Sequence, residues 1–217
     1  MNVLKKPNSD KIIRFLVWFY TIGIIGFLWP LTHSIFIWLT PFSIIFTFFL
    51  ILIYHQPAIT SKNILLWGFI YVLGLSVEIA GVNTGFIFGT YYYGDGLGIK
   101  VFSTPLIIGV NWIMLTYCSH IISQSLPVKS YLKVWLGALL MLLYDLVLEQ
   151  VASYFNMWHW EGNKIPLRNY IAWFLIALVM QYIMSKSSYK NKIGSLVFLL
   201  QFAFFFIIMV AIKIIGI

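Results

Sequence analysis

The sequence predicts an all-α, polytopic integral membrane bundle of about seven transmembrane helices. Of its 217 residues, 61% are hydrophobic and only 9% are charged, whereas about a quarter of the residues of an ordinary soluble domain are charged. Seven separate apolar runs are each long enough for an α-helix of about 20 residues to cross the bilayer. The mean hydropathy of +0.93 agrees, so a soluble fold and a disordered chain are excluded.

Each predicted helix is one continuous apolar run, and most prolines lie at or beside the ends of these runs. Proline marks such boundaries because it removes a backbone donor and disturbs a helix interior. Pro41 is the exception, since it falls near the start of the second run and favours a shift or kink there. The predicted spans are residues 12–29, 34–54, 63–82, 104–123, 130–150, 169–186 and 194–214.

The basic residues predict the orientation, because they accumulate on the cytoplasmic side of membrane helices. With a cytoplasmic N-terminus, ten Lys and Arg residues flank the inner helix ends and four flank the outer ends. We therefore expect a multi-pass cell-membrane protein, and the net charge of +8 does not indicate nucleic-acid binding. The inner residues are Lys5, Lys6, Lys11, Arg14, Lys62, Lys129, Lys133, Lys186, Lys190 and Lys192, and the outer ones are Lys100, Lys164, Arg168 and Lys213.

The chain is expected to form one integral membrane domain over residues 1–217. Its first apolar run has full spanning length and no small-residue cleavage site, so we expect that helix to be retained. The single cysteine, Cys118, excludes an internal disulfide and a cysteine-based zinc cluster.

Two connections are longer than the others, and both lie on the predicted outer side. The first, residues 82–103, is rich in glycine, and we expect it to form a re-entrant or short strand-like segment. The second, residues 151–168, is rich in tryptophan. Long connections tend to carry function, although their aromatic residues also fit an interfacial belt.

Three of the six acidic residues fall inside predicted helices, namely Glu78, Asp145 and Glu149. A charge near the centre of a membrane helix costs about 2.5–3.5 kcal/mol on insertion scales, so such a carboxylate indicates function. Asp145 and Glu149 share one helix face because they are spaced i, i+4. If the third and fifth helices are neighbours, the three carboxyls converge near the outer helix ends. At least one should then stay protonated and serve as a proton donor.

Other interpretations of the polar residues remain open. The carboxyls can instead join helices by hydrogen bonds, and Asn111 can contact a substrate or hold helices together. His159 is on the predicted outer side, where it can join the carboxyls, although a lone interfacial histidine is more often a loop residue. A magnesium site with three carboxylates stays open, although we expect no metal.

Two blocks of residues surround these carboxyls. The first reads Glu78-x-x-Gly81, Asn83-Thr84-Gly85-x-x-Phe88-Gly89-x-Tyr91-x-Tyr93-Gly94, Leu97-Gly98, Pro105 and Asn111-Trp112. The second reads Tyr144-Asp145-x-x-x-Glu149, Trp158-x-Trp160 and Ile165-Pro166-Leu167-x-Asn169-Tyr170-x-x-Trp173. Within residues 74–112 and 144–173, they resemble the carotenoid hydratase family of membrane proteins, which includes carotenoid 1',2'-hydratases and bisanhydrobacterioruberin hydratases. Gln150 and Arg168 depart from the family pattern, which commonly has proline and a neutral polar residue there.

The resemblance implies a hydro-lyase of carotenoid biosynthesis that adds water across the terminal 1',2' double bond of an acyclic carotenoid end, as lycopene and gamma-carotene carry. The product is a tertiary alcohol. A neutral carboxylic acid would protonate the alkene, and a second carboxylate would deprotonate the water that captures the cation. Aromatic faces would stabilise that cation. No cofactor is needed; the expected partners are a carotenoid from the bilayer, membrane lipids and other enzymes of the pathway.

Asp145 is predicted as the proton donor, with Glu149 and Glu78 holding the water or sharing the proton, in the non-cytoplasmic half of the membrane. Glycines in residues 81–98 would let the backbone approach a flat polyene closely. The residues predicted to bind substrate are Tyr91, Tyr93, Asn111, Trp112, Tyr144, Trp158, Trp160, Asn169 and Trp173; for each aromatic residue, packing or a membrane belt is the alternative.

Other functions would use the same carboxyls. A proton-coupled transporter also keeps intramembrane carboxylates, but it should have polar groups through the full depth, and the inner halves of the predicted spans look nearly uniformly apolar. A membrane carotenoid cyclase or isomerase shares the protonation step without adding water. A retinal-binding protein is disfavoured because Lys213 sits at the end of the last helix, and a non-catalytic scaffold predicts silent carboxyl substitutions.

Overall fold

The computed structural model describes residues 9–216 and confirms the predicted all-α membrane bundle. Within that range it has seven long helices, six of which are long and apolar enough to cross a membrane. Lys5 and Lys6, which contributed to the predicted orientation, lie outside the described residues. The helices are α1 (Ser9–Leu28), α2 (His33–Ile53), α3 (Ser61–Thr84), α4 (Ile107–Ser125), α5 (Ser130–Leu148), α6 (Leu167–Met184) and α7 (Lys192–Ile215).

Helix α4 is the centre of the bundle. It packs against α2, α3, α5, α6 and α7, and 14 of its 19 residues are buried. A helix enclosed by protein can carry polar side chains that lipid would exclude. This explains why α4, although long enough to span, is not among the six most apolar helices.

Both ends of α3 coincide with capping signals in the sequence, whereas the proline in α2 does not interrupt that helix. Thr60 and Asn63 form a capping box, with N–H to side-chain oxygen distances of 3.3 and 2.9 Å. The helix ends at Gly85, whose φ of +63° is the left-handed conformation that glycine adopts without strain. Pro41 lies inside α2, which continues from His33 to Ile53, so this proline does not end the helix.

The two long connections form short strands, and one pair of strands joins them. Strand β1 (Tyr91–Tyr93) pairs antiparallel with β4 (Trp158–Trp160) of the second connection. Within the first connection, β2 (Lys100–Val101) pairs with β3 (Thr104–Pro105). The strand-like prediction for residues 82–103 is therefore confirmed, while the pairing with the second connection was not predicted. We call the end of the bundle that carries β1 and β4 the strand end.

Glycines let the two connections approach each other. A Cβ atom at Gly94 or Gly96 would collide with the backbone of Asn156 or Phe155. Both glycines also donate their N–H groups across this contact, to the carbonyl oxygens of Met157 at 2.9 Å and Asn156 at 2.8 Å. These glycines thus allow one segment of backbone to approach another. The expectation from the sequence was instead that glycines of this segment approach a polyene.

The end of the bundle opposite the strand end contains buried polar groups. Nδ1 of His55 lies 2.7 Å from the hydroxyl oxygen of Tyr117, to which Asn191 also donates at 3.2 Å. Asn63 donates to the hydroxyl of Tyr189 at 3.1 Å.

Within the spans, Gln181 of α6 donates to the hydroxyl of Ser119 on α4 at 2.7 Å. The prediction of nearly uniformly apolar inner halves is therefore wrong, because α4 and α6 pack together and bury polar side chains between them. The depth of the polar groups therefore does not distinguish this protein from a transporter.

Candidate active site

The paired strands β1 and β4 turn four aromatic side chains toward the bundle. Side chains alternate along a strand, so Tyr91 and Tyr93 are buried while Tyr92 between them is 62% exposed. Trp158 and Trp160 are buried in the same way on β4. Tyr91 lies opposite Trp160 and Tyr93 opposite Trp158, so two phenols and two indoles reach the same face.

His159 lies on the opposite face of β4 and does not join the carboxyls. Its ring stacks on Tyr92 with centroids 5.2 Å apart, and its Nε2 lies 3.1 Å from Oδ1 of Asn156. The sequence left open whether this histidine joins the cluster; it does not, because the two-residue period of the strand directs it away from its tryptophan neighbours.

Glu78 is buried on α3 and accepts three hydrogen bonds. The hydroxyls of Tyr91 and Tyr93 donate to its Oε2 at 2.8 and 2.7 Å, and the indole N–H of Trp112 donates to Oε1 at 3.2 Å. Trp112 can come this close to α3 because Gly74 has no side chain; a Cβ there would lie 2.6 Å from the indole ring. Burial raises the pKa of both tyrosines, so they remain donors at neutral pH. Three donors on one carboxyl favour its ionised form.

Glu149 directly follows the last residue of α5 and is held in a similar way. Trp158 and Trp160 donate to its Oε2 at 3.0 and 2.7 Å, and the amide of Asn169 donates to Oε1 at 3.0 Å. Burial raises the pKa of Glu149 to about 7, although these three hydrogen bonds favour the ionised form. Near neutral pH, this carboxyl can therefore both give and take a proton.

Asp145 is fully buried one helical turn before Glu149 and has few partners. The amide nitrogen of Asn169 lies 3.5 Å from its Oδ2, and Oδ1 has no hydrogen-bond partner within the part of the chain that the structure describes. An ionised carboxylate in such a place would lose several kcal/mol of solvation without compensation. The surroundings of Asp145 therefore suit a neutral carboxylic acid.

A small pocket lies between Glu78 and Glu149, and α4, which packs against both α3 and α5, brings these residues together. Its volume of about 20 Å³ is room for about one water molecule. Asp145, one helical turn before Glu149, does not line this pocket. Across residues 9–216, no three His, Cys, Asp or Glu side chains form a metal site. The predicted site residues that line the pocket are Glu78, Tyr91, Tyr93, Asn111, Trp112, Glu149, Trp158, Trp160, Asn169 and Trp173.

Two of the aromatic side chains that line this pocket form a stacked pair. The rings of Trp112 on α4 and Trp173 on α6 lie 4.1 Å apart with an interplanar angle of 18°. A cation that forms beside the pocket would meet the π-electrons of such rings, which attract positive charge. The two departures from the family pattern, Gln150 and Arg168, are exposed residues and do not line the pocket.

A larger cavity of about 490 Å³ adjoins the pocket and is lined mainly by α1, α2, α4 and α7. Tyr144 lines this cavity, and its ring packs against those of Phe198 and Phe205, with centroids 5.7 Å apart in both cases. It was predicted to bind substrate, and it lines this larger cavity but not the carboxyl pocket, because adjacent residues of a helix point about 100° apart. The residues that line both spaces, and so mark their junction, are Ile108, Asn111, Leu148 and Trp158.

Comparison with known proteins identifies the family. A protein-family model described as "Carotenoid biosynthesis protein" matches residues 39–216, which include all three carboxyls and both paired strands. The chain belongs to the carotenoid biosynthesis protein family. The resemblance is thereby confirmed at the level of this family, and the protein has a role in carotenoid biosynthesis. No curated protein and no solved structure matches the chain significantly.

In this carotenoid biosynthesis protein, α1 and α2 line the larger cavity, although no residue of either helix was predicted as part of the site. A signal was present in the sequence. Thr40, Ser43 and Thr47 recur at spacings of three and four and so share one face of an otherwise apolar helix. Their hydroxyls donate to backbone carbonyls one turn earlier, at 3.0, 3.0 and 2.7 Å.

Proposed function

We propose that this protein is a carotenoid hydratase, which adds water across the terminal 1',2' double bond of an acyclic carotenoid end. One observation carries the proposal: the donors are divided unequally among three buried carboxyls. Glu78 and Glu149 each accept three hydrogen bonds, whereas Asp145 has a single long contact and an oxygen without a partner. Such a division suits one neutral acid beside two carboxyls whose charge is stabilised by hydrogen-bond donors.

The acid in this proposal is the pair formed by Asp145 and Glu149. Asp145 was predicted as the proton donor, yet only Glu149 lines the small pocket. The two carboxyls are one turn apart, and Asn169 contacts both. Glu149 therefore delivers the proton to the alkene, and Asp145 is the buried group that holds and returns it.

The reaction balances with these groups alone. The π-electrons of the alkene form a C–H bond with the acidic proton at the less substituted carbon, which leaves a tertiary cation. A water oxygen bonds to that cation while Glu78 accepts the proton that the water loses. The net result is a tertiary alcohol, one proton moved from the acid pair to Glu78, and no redox change. Return of that proton restores the enzyme.

The size of the pocket favours hydration over cyclisation or isomerisation. A cyclase or isomerase protonates the same kind of alkene but has no use for a bound water. Here the polar space between Glu78 and Glu149 has the volume of about one water molecule. The hydrogen bonds from Tyr91 and Tyr93 keep Glu78 oriented as the base beside that water.

The experiment is expression of the chain in a host that accumulates lycopene or gamma-carotene, followed by mass analysis of the pigments. Hydration predicts products heavier by one water per reacted end. A product of unchanged mass would assign a cyclase or isomerase. No product from either carotenoid, or full activity after Asp145→Asn and Glu78→Gln together, would refute the mechanism. Asp95→Asn, in an exposed residue paired with Lys100, is the matched control.

Proton flux separates the hydratase from a transporter. Purified protein in liposomes with an internal pH dye is given a proton gradient, with and without carotenoid. A hydratase predicts no flux beyond that of protein-free liposomes. Flux that depends on Glu78 or Asp145, in the absence of product formation, would favour transport.

A further inference from the structure

The larger cavity has the dimensions and the lining of a binding site for a conjugated hydrocarbon chain. Its volume of about 490 Å³ falls in the range of about 300–1,000 Å³ that is usual for small-molecule sites. Eleven of its 25 lining residues are aromatic, against 19% of the whole chain. Flat rings pack closely on flat π-systems, so this lining favours a polyene over a flexible saturated chain.

The polar side chains of α2 that line the cavity use their hydrogen-bond donors within the helix, so these donors are not directed at a ligand. The hydroxyls of Thr40, Ser43 and Thr47 each donate to a carbonyl of their own helix. A donor that is already used this way leaves mainly small aliphatic surface toward the cavity. The α2 side of the cavity therefore presents a mainly apolar surface, which suits a linear hydrocarbon.

The cavity is elongated along α1. Near the strand end, Phe27 contacts Phe155 with ring centroids 4.4 Å apart, and both line the cavity. Phe15, which also lines it, lies twelve residues earlier on α1, a distance of about 18 Å at 1.5 Å per residue. The cavity thus runs from the junction with the carboxyl pocket toward the opposite end of the bundle.

One side of the cavity opens to the surface that faces lipid. Phe15, Trp18 and Ile22 line it from α1 and are also 45%, 67% and 54% exposed. These side chains form a rim beyond which the acyl chains of the bilayer begin. A ligand dissolved in the membrane can therefore reach the cavity without crossing a polar surface.

Helices α1 and α2 contact each other on either side of this opening. Toward the strand end, Gly26 is so close to the ring of Phe36 that a Cβ there would collide with it. Toward the other end, Phe15 and Phe19 contact Phe46, with centroids 5.8 and 5.7 Å apart. The opening lies between these two contacts.

We propose that this cavity binds the polyene chain of the substrate, which enters sideways from the bilayer between α1 and α2. The reacting end then lies at the junction beside Asn111 and Trp158, where the cavity meets the carboxyl pocket. The identity of that end rests on the proposed function. The α1 wall lies outside residues 39–216 that match the family, so its role follows from the geometry of this chain.

The test measures binding separately from turnover. Purified full-length protein in lipid nanodiscs is titrated with lycopene, and the circular dichroism that a bound polyene acquires in a chiral site is recorded. Ser43→Phe places a ring inside the cavity, whereas Ser34→Phe places the same ring on an exposed position of the same helix. Because overfilling a packed site is strongly unfavourable, we expect Ser43→Phe to weaken lycopene binding by about tenfold or more, with Ser34→Phe unchanged.

Two further measurements identify the occupant. Asp145→Asn should bind lycopene as the unaltered protein does, because it changes the chemistry and leaves the cavity intact. The fully saturated hydrocarbon with the carbon skeleton of lycopene should compete poorly. Equal competition by that hydrocarbon would overturn the assignment to a polyene and indicate a site for any acyl-like chain. If Ser43→Phe fails to fold, as judged by gel filtration, Ile44→Trp lines the same cavity and replaces it.

The outcomes separate this proposal from the hydratase proposal. Hydrated product together with unaltered binding by Ser43→Phe would overturn the cavity assignment and leave hydration standing. Binding that is lost in Ser43→Phe, together with no gain of water in any product, would overturn hydration and support the cavity as a polyene site. Loss of both binding and product in Ser43→Phe, but not in Ser34→Phe, supports both.

Discussion

Tyr91 and Trp160 lie opposite each other on the β1·β4 strand pair, yet they donate to different carboxyls. The hydroxyl of Tyr91 bonds Glu78 at 2.8 Å, and the indole N–H of Trp160 bonds Glu149 at 2.7 Å. One strand pair therefore sets the positions of a residue on α3 and a residue at the end of α5. A movement of the paired strands as a unit would displace donors of both carboxyls.

Removal of the Tyr91 hydroxyl should slow product formation while the fold is retained. Tyr91→Phe keeps the ring and deletes one donor to Glu78, and a hydrogen bond to a charged group contributes about 1.5–3 kcal/mol. We expect a loss of about tenfold or more in rate, measured as hydrated carotenoid per unit of membrane protein. Tyr92→Phe, one residue away and exposed, is the control. Equal rates in the two variants would mean that the Tyr91 hydroxyl does not support the base.

Asp145→Asn should abolish most of the activity without loss of stability. The amide has nearly the same shape as the neutral acid but cannot release a proton, and general acid catalysis contributes about 10²–10⁴-fold. Product formation is the readout, and the thermal unfolding temperature of the purified variant shows whether the bundle is intact. A stable Asp145→Asn variant with full activity would exclude this residue from the acid pair.

Activity should fall as the pH rises through about 7. Burial raises the pKa of Glu149 to about 7, and the acid must be protonated at the start of each turnover, so the active fraction decreases above that value. Because Asp145 and Glu149 interact, the apparent pKa belongs to the pair. The rate is measured in vesicles equilibrated to the same pH on both sides, with lycopene binding as the control. A rate that increases with pH over this range would contradict the assignment of Glu149 as acid.

Two glycines of α3 should respond differently to the same substitution. A Cβ at Gly74 would lie 2.6 Å from the Trp112 ring, whereas a Cβ at Gly68 would meet nothing within 4 Å. Gly74→Ala should therefore displace the indole that bonds Glu78, lower activity and destabilise the protein by about 1–3 kcal/mol. Gly68→Ala should be neutral or slightly stabilising, since alanine favours a helix. Similar unfolding temperatures in both variants would show that Trp112 adjusts freely.

The helices and the carboxyls were predictable from the sequence for the same reason. Lipid excludes charge, so apolar runs mark the spans, and the few acids within them, such as Glu78 and Asp145, stand out. The predicted spans differ from the helices by a few residues, because an apolar run does not show where a cap such as Gly85 ends the helix.

The contacts between distant parts of the chain were not predictable. Strands β1 and β4 have three residues each, too few for a periodic signal, and their pairing joins residues more than 60 positions apart. That Tyr144, and not Asp145, would line the larger cavity follows only from knowing which helices surround α5. The buried bonds of His55 and Tyr117 likewise depend on loops that fold back over helix ends.

The central position of α4 has a consequence for biogenesis. This helix is the least suited of the seven to leave the translocon alone into lipid, because its polar residues, among them Thr116, Ser119 and His120, are shielded only by other helices. Gln181 of α6 donates to the Ser119 hydroxyl at 2.7 Å, and α6 is synthesised after α4. The polar side chains of α4 are therefore fully covered only after α6, which the ribosome makes later, has joined the bundle.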